Sequence, residues 1–145
     1  MGFGLPASLG AASGNPGKPG VAFIGDGGFQ MTLQELGTIM QYQIPVKILL
    51  LNNSFLGMVR QWQEMFFNGR YASTEMVNPD FVALAGAYGI PAQRLTRREE
   101  LRTAIEAMLA AEGPFLTEVA ISREANILPM VEPGASVSEV TLTYR

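Results

Sequence analysis

Val21-Ala22-Phe23-Ile24-Gly25-Asp26-Gly27 and Val46-Lys47-Ile48-Leu49-Leu50-Leu51-Asn52-Asn53 decide the fold. Each opens with a short apolar run of the kind that buried parallel strands use. The stretch between Gly27 and Asn52 is 24 residues, room for a helical crossover. Within it, Thr32 and Glu35 form a capping-box pattern. Leu33, Leu36, Ile39 and Met40 follow at helical spacing, and Ile44-Pro45 stops the helix near Tyr42. Strand, helix and strand in that order predict a parallel pair. Asp26 and Asn53 then meet at the carboxyl edge of the sheet, where open α/β sheets bind ligands.

The remaining segments extend the same alternation. Leu5 to Ser13 reads as a helix with Pro6 near its start, and residues 14–20 as a Gly/Pro loop. A helix is predicted from Leu56 to Phe67, closed by Asn68-Gly69. Another starts with Asn78 as cap and Pro79 at the first helical position, turns Phe81, Leu84, Ala85 and Tyr88 inward, and stops at Gly89. Ala92 to Leu95 is a short strand. Thr96 and Glu99 repeat the capping box ahead of a helix with Leu101, Ile105, Met108 and Leu109 as its inner stripe. Phe115 to Ile121 is the last strand, and the tail from Asn126 reads as loop. The class is α/β: a Rossmann-like parallel sheet with helices on both faces, in one domain without linker or repeat.

Composition narrows the function. Of 145 residues, 48% are hydrophobic and 16% charged, which excludes disorder. The net charge of −3 gives nucleic-acid binding no electrostatic support. No apolar run matches a membrane span, and no signal peptide is visible, so the expected location is cytoplasmic. The chain has neither cysteine nor histidine. Thiolate chemistry, His–metal sites and Ser-His-Asp catalysis are thereby excluded within it.

The candidate chemistry lies at the two strand ends. A carboxylate at Asp26, an amide oxygen at Asn53 and free N–H groups at Gly25, Gly27, Gly28 and Phe29 suit a divalent cation carrying a diphosphate. Taken alone, Asp26 between glycines is equally a tight turn. Asn52 reads as support for its own turn. Met58 and Trp62, one helical turn apart, share a face; core packing is the plain alternative for both.

Gly-Asp-Gly followed by Asn-Asn at this spacing resembles the thiamine-diphosphate signature. Gly57-Met58-Val59-Arg60-Gln61-Trp62-Gln63, Asn78-Pro79-Asp80-Phe81, Leu128-Pro129-Met130-Val131 and Pro133-Gly134-Ala135 resemble the catalytic (large) subunit of acetolactate synthase, from Met1 to about Ala135. The resemblance implies the C-terminal thiamine-diphosphate-binding (PP-type) fold over residues 1–145, N-terminally truncated, with the pyrimidine-binding and FAD-binding domains absent. It implies a transferase of branched-chain amino acid biosynthesis, from a flavoprotein family. Pyruvate is decarboxylated and condensed with a second 2-ketoacid, pyruvate or 2-ketobutyrate, to acetolactate or acetohydroxybutyrate. Thiamine diphosphate and Mg²⁺ are the implied cofactors.

By the same resemblance the metal ligands are Asp26, Asn53 and the carbonyl of Phe55, where some relatives carry a polar residue. Leu56, Gly57 and Met58 flank the cofactor, and Met1 supports its bent conformation. Trp62 lines the entrance, contacts herbicidal inhibitors and favours 2-ketobutyrate; a flat aromatic wall rewards one extra methyl group by about 1 kcal/mol. No catalytic residue is expected here, because the activating glutamate belongs to a missing domain on another chain. Glu35, Glu64, Glu75 and Glu118 do not match its motif. The implied partners are a homo-oligomer or complementing chain, with room for a regulatory subunit, and the isolated chain is expected to be inactive. Exposed apolar surface around Trp62, Met65, Phe66 and Phe67 predicts self-association or partner binding. Two alternatives stand beside this reading: another thiamine-diphosphate-dependent 2-ketoacid decarboxylase or carboligase, and a noncatalytic cofactor-binding or assembly module.

Overall fold

The computed structural model describes residues 1–143. Four strands, β1 (Gly20–Gly25), β2 (Val46–Asn52), β3 (Ala92–Leu95) and β4 (Phe115–Ala120), form one sheet. Their order is β1-β2-β4-β3 and every pairing is parallel. Six helices accompany them: α1 (Gly4–Gly14), α2 (Asp26–Gln30), α3 (Glu35–Tyr42), α4 (Gly57–Phe66), α5 (Phe81–Ala87) and α6 (Leu101–Ala110).

The two strand faces are covered by different helices. Ala22, Ile24, Val46, Ile48, Leu50 and Leu116 share a core with Leu5 and Leu9 of α1, Phe29 of α2, Leu36 and Ile39 of α3, and Phe81 and Ala85 of α5. On the opposite face α6 buries Ala104 and Met108 against β3 and β4. Connections that step forward across the sheet use the first face, and the one that steps back, from β3 to β4, uses the second. A single handedness of crossover requires that arrangement. β2 is one of two interior strands and is buried along most of its length. Its Lys47 is buried too and donates from Nζ to the carbonyls of Ala111, at 2.6 Å, and Gly113.

Several expectations need correction. β1 is not buried on both faces: it is an edge strand, and Phe23 is 70% exposed because α1, α2 and α3 cover only the other side. The Gly-Asp-Gly turn is the start of a helix, since Asp26 opens α2 directly after extended Gly25. Neither Thr32 nor Thr96 caps a helix. Thr32 Oγ1 instead donates to the Gly2 carbonyl at 3.2 Å, and α3 begins after Gln34 with no side-chain cap. A 3₁₀ turn, Arg98–Glu100, displaces the start of α6, so Leu101 and Leu109 stay exposed. The tail is not all loop. β5 (Met130–Val131) pairs antiparallel with β6 (Val140–Thr141).

The cap of α5 is Asp80, not Asn78. Its carboxylate accepts from the N–H groups of Val82 (3.0 Å) and Ala83 (3.1 Å), and Arg94 Nη2 pairs with it at 2.6 Å. These bonds, the Ala83 N–H first, hold the Asp80 carboxyl below its ordinary value of 3.8. A carboxyl lowered in the fold stabilises the protein fully above its ordinary value and loses that stabilisation as pH falls through the folded value beneath it. Asp80→Ala is therefore expected to melt at a lower temperature than wild type at pH 7. The gap should close in strong acid, checked by thermal unfolding across that range; an equal gap at both ends would refute the assignment. Among the described residues no helix is long and apolar enough to cross a membrane.

Candidate functional site

Parallel pairing of β1 with β2 sets Gly25 opposite Leu51, so the chain leaves both strands side by side. Asp26 is 1% exposed. Its Oδ1 accepts from the Gly27 N–H at 3.0 Å; its Oδ2 accepts from the Ser54 N–H at 2.8 Å and from Asn78 Nδ2 at 2.7 Å. Among the described residues no Lys or Arg forms an ion pair with it. A buried carboxylate without a countercharge is costly unless something compensates it.

After Asn52 the chain turns through Ser54, in the left-handed region at φ +57. Asn53 Oδ1 accepts from the Phe55 N–H at 3.1 Å, an Asx turn. The segment 74–76 runs beside this loop and clamps it: Leu56 N–H donates to the Thr74 carbonyl at 2.8 Å, and Met76 N–H to the Ser54 carbonyl at 2.9 Å. The Phe55 ring lies beneath the Arg60 and Arg123 guanidinium groups, 5.4 and 4.8 Å from its centroid. That stacking gives an apolar side chain a place at this position.

A crevice of about 230 Å³ lies between the two strand ends. Gly25, Asp26, Gly27 and Gly28 line one wall, Asn53, Phe55, Leu56, Gly57 and Met58 the other, and Met1 lies at the rim. The structure thus gathers these sequence candidates around one opening. Phe29 is the exception: its side chain is wholly buried and packs edge-to-face on Phe81, with centroids 5.6 Å apart. Trp62 lies outside the crevice, further along α4, edge-to-face with Phe66. Asn52 serves the turn: its Oδ1 accepts from the Ser54 N–H at 3.1 Å and its Nδ2 donates to Glu118 at 2.7 Å. Glu118 is buried and bound to Arg94 at 2.7 Å. The Gln61 amide is also structural, exchanging bonds of 2.8 and 2.9 Å with the backbone of Ile127 and so fastening the tail to α4. A larger recess of about 600 Å³ between α1 and α3 has Glu35 as its one charged residue.

Reading the sequence missed Ser54, Met76 and Asn78. The signal for Asn78 was present, because Asn78 and Asp80 are both cap-type residues and one helix start needs only one of them.

The donor set fits a hard cation. Three hydrogen bonds use three of the roughly four lone-pair sites of the Asp26 carboxylate, and Asn53 Oδ1 uses one of its two. No cluster of three or more carboxylate, His or Cys ligands occurs among the described residues. A site with one carboxylate and neutral oxygens suits Mg²⁺ that shares its coordination with phosphate oxygens. Gly27 is closely approached: a Cβ there would stand 2.5 Å from Leu56 Cδ2 and 3.1 Å from Met76 Sδ, so those side chains would have to move. Gly27→Ala is expected to push Leu56 into the crevice and weaken ligand binding about tenfold, ~1.4 kcal/mol. Gly28→Ala, whose nearest side-chain neighbour is 3.8 Å away, is the paired control in a binding titration. Equal losses would refute the steric account.

The carboxyl edge of a parallel α/β sheet, where this oxygen-donor crevice lies, is where such folds bind their ligands. A family model described as "Thiamine pyrophosphate enzyme, C-terminal TPP binding domain" matches residues 1–119. The chain belongs to that family. It is 50% identical over 141 residues to the acetolactate synthase isozyme 2 large subunit of Escherichia coli K12, covering 97% of this chain and 26% of that one. It is 45% identical over 142 residues to the acetolactate synthase large subunit of Cyanidium caldarium, covering 97% and 24%. Among solved structures, the thiamine diphosphate-dependent 4-hydroxybenzoylformate decarboxylase of Rhodococcus jostii matches with TM-score 0.80 and 35% identity, over 86% of this chain and 24% of that one. The chain spans about a quarter of the length of these relatives.

Proposed function

We propose that the crevice is the diphosphate and Mg²⁺ half-site of a thiamine-diphosphate-dependent acetolactate synthase. The observation that carries this reading is the buried Asp26 carboxylate, without an ion-pair partner among the described residues, lining one crevice with Asn53. In it, Asp26, Asn53 and the Phe55 carbonyl hold the cation. The Gly27 N–H, expected to be free, is taken by Asp26 Oδ1, and the Gly28 N–H, in the first turn of α2, faces the diphosphate. Leu56 and Met58 flank the cofactor, Met1 supports it from the rim, and Trp62 borders the path of the second 2-ketoacid. Thiamine diphosphate, when bound, supplies the nucleophilic carbon for 2-ketoacid chemistry.

The reaction proposed is condensation of pyruvate with pyruvate or 2-ketobutyrate, in branched-chain amino acid biosynthesis in the cytoplasm. We read residues 1–145 as a diphosphate-binding domain that works in an oligomer with a pyrimidine-binding domain, which contributes the activating glutamate. FAD and any regulatory subunit attach to that larger assembly. A decarboxylase is the second reading, favoured by the fold shared with the Rhodococcus enzyme. Higher identity to the acetolactate synthases, 50% and 45% against 35%, favours the first.

Calorimetric titration with thiamine diphosphate, with and without Mg²⁺, tests the site. Binding that requires Mg²⁺ supports it; no binding at millimolar cofactor overturns it and leaves a noncatalytic module. Product analysis with pyruvate and a complementing pyrimidine-binding chain separates the enzymes, acetolactate for the first and aldehyde for the second.

A further inference from the structure

Asn78 makes bonds that its place in the sequence does not require. It lies two residues before the cap of α5, yet its amide reaches back across the sheet edge. Nδ2 donates to Asp26 Oδ2 at 2.7 Å and to Asn52 Oδ1 at 2.8 Å, and Oδ1 accepts from Gln30 Nε2 at 2.7 Å. One side chain thus ties together the two ends of α2 and the end of β2. Its orientation is set by its partners. A flipped amide would turn its oxygen toward two other oxygens and its N–H toward the Gln30 amine. Asn52 is held in turn, because its own Nδ2 is taken by Glu118, which Arg94 binds at 2.7 Å.

We propose that Asn78 is the positioning residue that aims Asp26 at the cation. The inference rests on the Mg²⁺–diphosphate reading of the crevice. With Ser54 and Asn78 donating to one oxygen and Gly27 to the other, the carboxylate cannot rotate about its Cβ–Cγ bond without breaking bonds. Its remaining lone pair keeps one direction. Mg²⁺ demands near-octahedral geometry, whereas Ca²⁺ accepts irregular shells of six to eight oxygens, so aim matters far more for the first. A neutral donor suits the task, because it orients the carboxylate without cancelling the charge that the cation needs. Lys or Arg at this position would compete with the metal.

The test is a titration of Mg²⁺ and, separately, Ca²⁺ into the protein with thiamine diphosphate, for wild type, Asn78→Ala and Asp26→Ala. Melting temperatures are recorded without metal. Outer-shell partners of metal ligands change metal affinity by about 10–100-fold. Asn78→Ala is expected to weaken Mg²⁺ binding within that range and Ca²⁺ binding by clearly less. Equal losses for both ions, or a lowered melting temperature with unchanged Mg²⁺ affinity, would mean that Asn78 only braces the loop, and the inference falls. Asn78→Ser, which leaves a polar group for water to bridge, carries the test if the alanine variant does not fold. Failure of both to fold makes the residue structural and likewise overturns the proposal. Asp26→Ala separates the two levels. If it abolishes Mg²⁺-dependent binding while Asn78→Ala leaves the Mg²⁺ affinity unchanged, the positioning role alone is lost. If it leaves that binding intact, or if wild type shows none, the site reading fails and the inference with it.

Discussion

Asp26→Ala is expected to abolish Mg²⁺-dependent binding of thiamine diphosphate while changing the stability of the metal-free protein little. The two effects have different origins. On the proposed reading, binding loses its carboxylate ligand, which should weaken the metal by about 100-fold or more, ~3 kcal/mol. Stability receives two opposing contributions. Three N–H groups lose their acceptor, at a cost of about 1–3 kcal/mol for a buried unsatisfied group. Against that, a buried carboxylate with no ion-pair partner among the described residues is removed. Calorimetry on the variant, beside urea unfolding without metal, measures both. Retained Mg²⁺ dependence would sink the assignment. A collapse of the metal-free fold would show that Asp26 is mainly a structural anchor.

Phe29→Ala is expected to have the largest effect on stability. The ring has no exposed surface, sits in the main core and meets Phe81 at an interplanar angle of 82°. Truncating a buried Phe costs about 3–5 kcal/mol through lost transfer energy and the cavity left behind. An edge-to-face aromatic pair adds about 0.5–1.5 kcal/mol beyond area burial. Against a total of roughly 5–15 kcal/mol for a domain, that is a large fraction. The melting temperature should fall by on the order of 10 °C. Phe29→Leu should lose less than half as much, because it refills part of the space. Phe29 also follows Gly27 and Gly28 on α2, so a loosened ring releases the wall of the crevice. Cofactor binding should weaken in Phe29→Ala although the ring lines no part of the site. Unchanged stability in the alanine variant would contradict the packing described here.

The site was legible where chemistry and strand pattern coincide. Gly25-Asp26-Gly27 and Asn52-Asn53 end two apolar runs, and parallel pairing leaves few other arrangements for them. Asn78 was misread because cap propensity is a local signal. Asn and Asp both suit a helix start, and only the positions of Asp26 and Asn52 in space determine that Asp80 takes the cap while Asn78 turns to the sheet edge. Thr32 was misread for a similar reason, since the Gly2 carbonyl is a competing acceptor 30 residues away in the chain. Phe29 was named for its backbone, and its side chain proved to belong to the core.

By itself, the sequence determined the class of fold, the parallel pairing of its first two strands and the family whose signature it carries. The first two follow from period, run length and spacing, which act along the chain; the family follows from the resemblance of its motifs. Tertiary structure alone decided which face of β1 is covered, which residue caps α5, and which neutral amide holds the Asp26 carboxylate. Each of these is a competition among partners distant in sequence. Hydrogen bonds and buried surface are shared out only once the strands are side by side.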